Sequence, residues 1–328
     1  MSGSPVRWGI LSTAAINARL LPAFRDSHVL DLVAVASRSP ERAEAYARTR
    51  GIPRAHGSYE ALLDDPDIEA VYVSLPNSLH VDWSIRALEA GKHVLCEKPL
   101  ARDATAVASA FDVAERAGRL LMEGFMYRHH PQTARAVELL RGGAVGELRV
   151  VRSSFGFTVA GAENVRLDPD LDGGALMDVG CYCVSATRLL AGEPEAAIGR
   201  SVIGPSGVDV RFAGMLALPG SVLAHFDCGL DVPAWSILEV VGSIGSLRIP
   251  RPFLISEAVI ELVRGSSVEH VAIPAADSYR LELEGVSAAI RGEADPQLGR
   301  ADALAQARTL AALYHSAGHG GAAVSLIG

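Results

Sequence analysis

Across the first 125 residues, six short apolar runs alternate with helical patterns, and this alternation is the strongest constraint the sequence places on the fold. The runs fall at 6–11, 31–37, 52–56, 70–75, 94–96 and 120–125. Helical patterns lie between them: one reaching about residue 25, then 40–49, 58–63, 81–90 and 103–117, the last two closed by Gly91 and Gly118. Strand and helix repeating at this spacing imply a parallel, doubly wound sheet of the Rossmann type. In such a sheet, ligands bind just beyond the carboxyl ends of the strands, so the residues that follow each run are the candidates for chemistry.

The first run enters Ser12, Thr13, Ala14 and Ile16 at the start of a helix, where Ser12, Ala14 and Asn17 stand at the positions of a GxGxxG fingerprint. Small residues still let the backbone approach a pyrophosphate, and a helix N-terminus offers unpaired N–H groups. The second run ends in Ser37-Arg38-Ser39, with Arg42 beyond and no acid to hold a ribose 2′-hydroxyl. An arginine there accommodates a 2′-phosphate, which favours NADP and leaves NAD possible. The competing reading is that Arg38 simply begins a solvated helix. The fourth run ends in Leu75, Pro76, Asn77 and, after a turn, His80. The fifth lies in GKHVLCEKPL (91–100) and ends in Glu97-Lys98-Pro99, either a reactive pair at the sheet mouth or a surface ion pair after an edge strand.

Beyond residue 126 the pattern changes. A helix over 131–141 and a strand over 148–157 lead into an irregular polar stretch, 158–172, of the length common in binding loops. Gly173-Gly174 opens an apolar segment, 175–191, expected as a buried helix. Asp178 and Tyr182 interrupt it four residues apart and so share a face. A buried carboxylate needs a partner or a function, and a core Asp–Tyr hydrogen bond would also satisfy it. Strands follow at 208–218, 221–230, 236–241, 245–249 and 258–272, with short turns that imply an antiparallel sheet, and helices at 279–290 and 300–317. The fold class is therefore α/β: a Rossmann domain (1–125), then an α+β domain with a large, open, mostly antiparallel sheet (126–300). Residues 301–328 form a C-terminal helix and tail that can pack back on the first domain.

The composition excludes several classes. Hydrophobic content of 49% and charged content of 21% are those of a globular protein, and no run of about 18 apolar residues exists to cross a membrane. The start has no basic region followed by a long apolar one, so a secretory signal is not expected. Cys96, Cys181, Cys183 and Cys228 sit in apolar surroundings and read as reduced core thiols, which points to the cytoplasm. A net charge of −8 without a basic stretch argues against a nucleic-acid partner. His129-His130 and Cys181-x-Cys183 lack the spacing of a metal site, and none is expected.

Taken together, WGILSTAAI, VASRS, VYVSLPNSLH, AGKHVLCEKPL, EGFMYRHHP, NVRLDPDLDGGALMDVGCY and EVVGSIGSLRIPRPF resemble the Gfo/Idh/MocA oxidoreductases over nearly the whole chain. The likeness is greatest to the dihydrodiol and NADP-linked D-xylose dehydrogenase branch. The resemblance implies that Lys98 lies at the nicotinamide, that Asp178 is the acidic residue of the second-domain helix, and that Tyr182 stands where many members carry histidine. It also implies cofactor contacts from Leu75, Pro76, Asn77, His80 and Glu97, and substrate contacts from Arg166, Tyr127, Arg128, Asp178 and Tyr182. The glycine fingerprint is the departure, with Ser12 and Ala14 in place of glycines.

The expected function is hydride transfer between NADP and a carbinol or carbonyl of a sugar or related polyol, such as an aldose or a trans-dihydrodiol. The alternatives are an NAD(P)-retaining glycoside hydrolase, a keto-sugar reductase and a non-catalytic nucleotide-binding module. Lys98, Tyr182 and Asp178 are the expected catalytic set. An open sheet with one apolar face uncovered implies a homodimer or homotetramer through the C-terminal sheet.

Overall fold

The computed structural model describes residues 4–161 and 163–327. The chain divides into two compact units, Met1–His129 with Asp277–Leu304, and His130–Ala276 with Ala305–Gly328.

The first unit is built on six strands, β1 (Val6–Leu11), β2 (Leu30–Ala36), β3 (Arg54–His56), β4 (Ala70–Val73), β5 (His93–Glu97) and β6 (Leu121–Gly124). Their order is β3-β2-β1-β4-β5-β6, every pair parallel. Helices α1 (Asn17–Asp26), α2 (Pro40–Arg50), α3 (Tyr59–Leu63), α4 (His80–Glu89) and α5 (Ala104–Ala117) alternate with them. All four residues of β4 are buried, which is why such strands read as unbroken apolar runs. The strand order reverses between β1 and β4, the switch point at which doubly wound sheets bind ligands. Local signals fix the helix limits: Ser39 accepts the Arg42 amide at the start of α2, Asp103 accepts the Thr105 and Ala106 amides at the start of α5, and Gly118 closes α5 with φ 61°.

The second unit begins with α6 (Pro131–Arg141), β7 (Leu148–Thr158) and, after the polar loop, α7 (Cys181–Ala191). Then come β8 (Ala196–Ile203), β9 (Asp209–Leu218), β10 (Val222–Gly229), β11 (Asp231–Gly242), β12 (Ser246–Pro250), β13 (Ile260–Arg264) and β14 (Ser267–Val271). Helix α8 (Ser278–Ile290) belongs to the first unit, and α9 (Arg300–Gly318) is followed by β15 (Val324–Ser325). The nine-stranded sheet runs β14-β13-β12-β11-β7-β10-β9-β8-β15. Its pairs are antiparallel except β7–β10, which is parallel because β7 enters the sheet from a helix and is inserted between β10 and β11.

Three local expectations are corrected. Residues 258–272 form two paired strands, not one, turning at Gly265 with φ 57°. Strands β8 and β15 were not anticipated as separate elements. The segment expected as one helix over 175–191 opens with a π-helical turn, Leu176–Gly180, before α7. Beyond Ala276 the chain returns to the first unit as far as Leu304. Trp8 donates to Ser287 Oγ at 3.3 Å and Arg291 pairs with Glu69 at 2.8 Å, which joins α8 to the first unit. Gln306 bonds Arg188 at 2.9 Å and the Cys181 carbonyl at 2.8 Å, joining the rest of α9 to the second.

Candidate active site

In the first unit, the turn after β1 takes a glycine-like shape without glycine. Ser12 has φ 117°, a conformation that side chains disfavour. Its hydroxyl lies 2.9 Å from the Ser74 carbonyl oxygen and accepts the Ala14 amide at 3.1 Å, while the buried Asn17 side chain donates to the Ser12 carbonyl at 2.9 Å. These bonds hold the turn that a fingerprint glycine would otherwise adopt freely. The amides of Thr13, Ala15 and Ile16 donate to no other described residue, which fits an anion at the N-terminus of α1.

At the end of β2, the Ser37 hydroxyl accepts the Ser39 amide at 3.4 Å, and Arg38 and Arg42 are exposed. Both guanidiniums act on Tyr59: burial pushes its phenol up, and the two arginines pull it down. Arg38 and Arg42 thus both lie near Tyr59, past the end of β2.

The lysine-bearing loop after β5 is tied at three successive residues. The Lys98 amide donates to Glu97 Oε2 at 3.2 Å, the Pro99 carbonyl faces His80 Nδ1 at 2.8 Å, and the Leu100 amide donates to Glu123 Oε1 at 2.8 Å. Glu97 also accepts the Tyr72 hydroxyl. His80 is fully buried, and its Nε2 faces the Leu75 carbonyl at 2.8 Å, so one ring links the ends of β4 and β5. Burial lowers His80 to about 4, against the pull of both carbonyls. A neutral ring carries one N–H and donates to one of these carbonyls at a time. Glu282 of α8 lies near Glu97, and burial first, then that neighbouring carboxylate, holds it well above the usual range. Pro76 and Asn77 are partly exposed beside Leu75 at the start of the 3₁₀ turn Asn77–Leu79.

In the second unit, Arg166 Nε donates to Asp178 Oδ2 at 2.7 Å, and the Gly174 amide donates to the Arg166 carbonyl at 2.9 Å, so the polar loop folds back on the helix start. Asp178 belongs to the π-helical turn and Tyr182 to α7. The Tyr182 ring packs on Phe155 and Phe253, with centroids at 5.5 and 5.4 Å, and the Arg166 guanidinium lies 5.8 Å from the Phe157 ring centroid. Tyr127 and Arg128 lie in the first unit, in the 3₁₀ helix Met126–His129. Tyr127 is buried edge-on to Phe125, and Arg128 lies 3.7 Å from Asp302.

Sequence reasoning missed Glu123, Tyr72 and Glu282, because no local motif marks residues that act through contacts 23 or 25 positions away, or on a helix far down the chain. Among the described residues, no group of three or more His, Cys, Asp or Glu is arranged to hold a metal ion, and no helix is long and apolar enough to cross a membrane.

Comparison with known proteins adds the following. Residues 6–125 match the oxidoreductase family with an NAD-binding Rossmann fold, and residues 133–248 match the GFO/IDH/MocA C-terminal domain. D-xylose 1-dehydrogenase (NADP(+)) 2 of Haloferax volcanii is 41% identical over 325 residues, covering 97% of this chain and 99% of that protein. Trans-1,2-dihydrobenzene-1,2-diol dehydrogenase of Xenopus laevis is 35% identical over 74% of this chain and 75% of its own. A 3-ketoreductase from Actinomadura kijaniata, crystallised with NADP and TDP-benzene, superposes with a TM-score of 0.89 at 33% identity, over 95% of this chain and 98% of that one.

Proposed function

The chain belongs to the GFO/IDH/MocA oxidoreductase family, and we propose that it moves hydride between NADP and a carbinol or carbonyl carbon of a sugar-like substrate. The observation that carries this reading is Lys98 on a loop tied at three successive residues just past the carboxyl end of β5. Such a loop holds a cation in place at the edge where a doubly wound sheet binds its nucleotide. The relatives named for D-xylose, dihydrodiol and keto-sugar chemistry, with NADP, support the substrate class and the cofactor.

The residues divide the work. Amides at the start of α1 bind the diphosphate, and Ser37, Arg38 and Arg42 bind the 2′-phosphate. Bound NADP supplies the hydride acceptor or donor. Tyr182 takes the substrate O–H proton in oxidation and returns it in reduction. Its phenol is near pKa 10 when free and acts as a base at neutral pH only where its environment favours the phenolate, and Lys98 stabilises the alkoxide that develops in oxidation. Arg166 and Asp178 orient substrate hydroxyls as a bonded pair.

The open face of the larger sheet supports a reading of the assembly. Met215, Leu223 and Ile237 are 49%, 51% and 41% exposed, and the pairing register of β9, β10, β7 and β11 places them on one face. Arg152, Glu239, Arg248 and Asp227 stand on the same face, and a mixed apolar and charged surface of this kind suits a second copy of the chain, giving a homodimer or homotetramer. Light scattering at micromolar protein tests this, and a monomer mass contradicts it.

A panel of pentoses, hexoses, dihydrodiols and keto-sugars, followed by nicotinamide absorbance with NADP and NAD, tests the activity. Net substrate-dependent NADP turnover is expected. Glycoside cleavage without net reduction, or cofactor binding without turnover of any substrate in the panel, overturns the reading.

A further inference from the structure

Asp209 stands at the first position of β9, 3% exposed, and both of its carboxylate oxygens are engaged where the polar loop passes into the helix. Oδ2 accepts the Leu176 amide at 2.8 Å, and Oδ1 accepts the Tyr314 hydroxyl of α9 at 2.9 Å. Between them runs Gly174, with φ 123°; a Cβ on it would lie 2.2 Å from Asp209 Oδ1 and 3.2 Å from the Tyr314 hydroxyl. Glycine is therefore required twice at this point, by the backbone angle and by the close approach of the carboxylate.

What the carboxylate holds is the start of the π-helical turn. Leu176 is its first residue, Asp178 follows two positions later, and Tyr182 lies in the first turn of α7 beyond. The first amides of a helix have no partner within it, and an acidic group there satisfies one while opposing the positive end of the helix dipole. A π turn is rare and occurs where a helix is locally reshaped at functional sites, so its register depends on what fixes its ends. The loop side is fixed as well, because the Gly174 amide bonds the carbonyl of Arg166, whose side chain holds Asp178.

We propose that Asp209 is a positioning residue for hydride transfer: by anchoring Leu176, and oriented by Tyr314, it sets the register of the π turn and so the placement of Asp178 and Tyr182. The inference rests on the catalytic reading of Tyr182 given above. It assigns Asp209 no contact with substrate or cofactor.

The test is a set of variants in the full chain with saturating NADP and the best substrate of the panel. Asp209→Ala is expected to lower kcat by roughly 10- to 100-fold, the scale of a small misplacement of reacting groups, with the KM for NADP within about twofold of wild type. Asp209→Asn is expected to recover most of that loss, since the amide oxygen can accept from Leu176 and the amide NH₂ can donate to Tyr314. A folded Asp209→Ala with wild-type kcat overturns the proposal, and so does an Asn variant no better than Ala. If Asp209→Ala does not fold, Tyr314→Phe decides: a several-fold fall in kcat with unchanged NADP KM supports the proposal, and wild-type kcat overturns it. Tyr182→Phe is the control that separates the two claims. Full activity in that variant overturns the catalytic reading beneath the inference, whereas loss in Tyr182→Phe with full activity in Asp209→Ala overturns the inference alone.

Discussion

Arg166 and Asp178 form an ion pair at 2.7 Å that closes the polar loop onto the helix carrying Tyr182. The arginine side chain is 40% exposed and the carboxylate 14%, so the pair is open on the arginine side. Its contribution to stability is that of a partly solvated bridge, about 1 kcal/mol or less. Arg166→Ala is therefore expected to leave the melting temperature within a few degrees of wild type while raising substrate KM by roughly tenfold or more, with NADP KM unchanged. Steady-state kinetics with each substrate varied in turn checks this; a rise confined to NADP contradicts it.

Cofactor choice rests on Arg38 and Arg42, the two cations that act on Tyr59 past the end of β2. Arg38→Ala is expected to weaken NADP binding by roughly 10- to 100-fold, the loss of one charge-assisted phosphate contact, with little effect on NAD. Comparing 2′,5′-ADP with 5′-AMP by titration calorimetry isolates the phosphate. Equal weakening of both would refute the assignment.

Stability should depend on pH through one buried and two half-buried histidines. His80, His93 and His129 are each lowered from 6.5 to about 4, with burial the first cause in every case. Between those values the unfolded chain binds protons that the folded chain does not, so stability is fully present above about pH 6.5 and is lost as pH falls toward 4. For His80, which is fully buried, the window is worth roughly 3 kcal/mol at about 1.4 kcal/mol per pH unit. The urea midpoint should fall steadily from pH 7 to pH 4.5. A midpoint that stays level across that range would count against neutral rings at these three positions.

The parallel sheet was legible because each buried strand is a short apolar run closed by a turn, a pattern that one window of sequence contains. Lys98, Asp178 and Tyr182 stood out for the same reason, as polar residues inside or just after apolar stretches. What holds them was not legible. Glu123 reaches Leu100 across two adjacent strands, and Asp209 reaches Leu176 from 33 residues away, contacts that exist only once the chain has folded. The π turn was also hidden, since a segment apolar on nearly every side shows no break in its pattern where one turn widens. The strand expected over 258–272 failed at Arg264-Gly265, where IELVR and SVEHV, each strand-like by itself, concealed a hairpin turn.

The central claim is that Tyr182 transfers the proton and that Lys98 is needed for the same step. Turnover by Tyr182→Phe, Lys98→Met and the double variant, each normalised to its NADP affinity, tests it most directly. The phenylalanine keeps the ring against Phe155 and Phe253 and removes only the hydroxyl, so kcat should fall by roughly 10²–10⁴-fold with NADP binding intact. Lys98→Met should do at least as much harm, and the double variant little more than the worse single one, because groups acting as a unit are not additive. Near-normal turnover in Tyr182→Phe alongside an inactive Lys98→Met would instead make lysine the proton-transfer group and contradict the account.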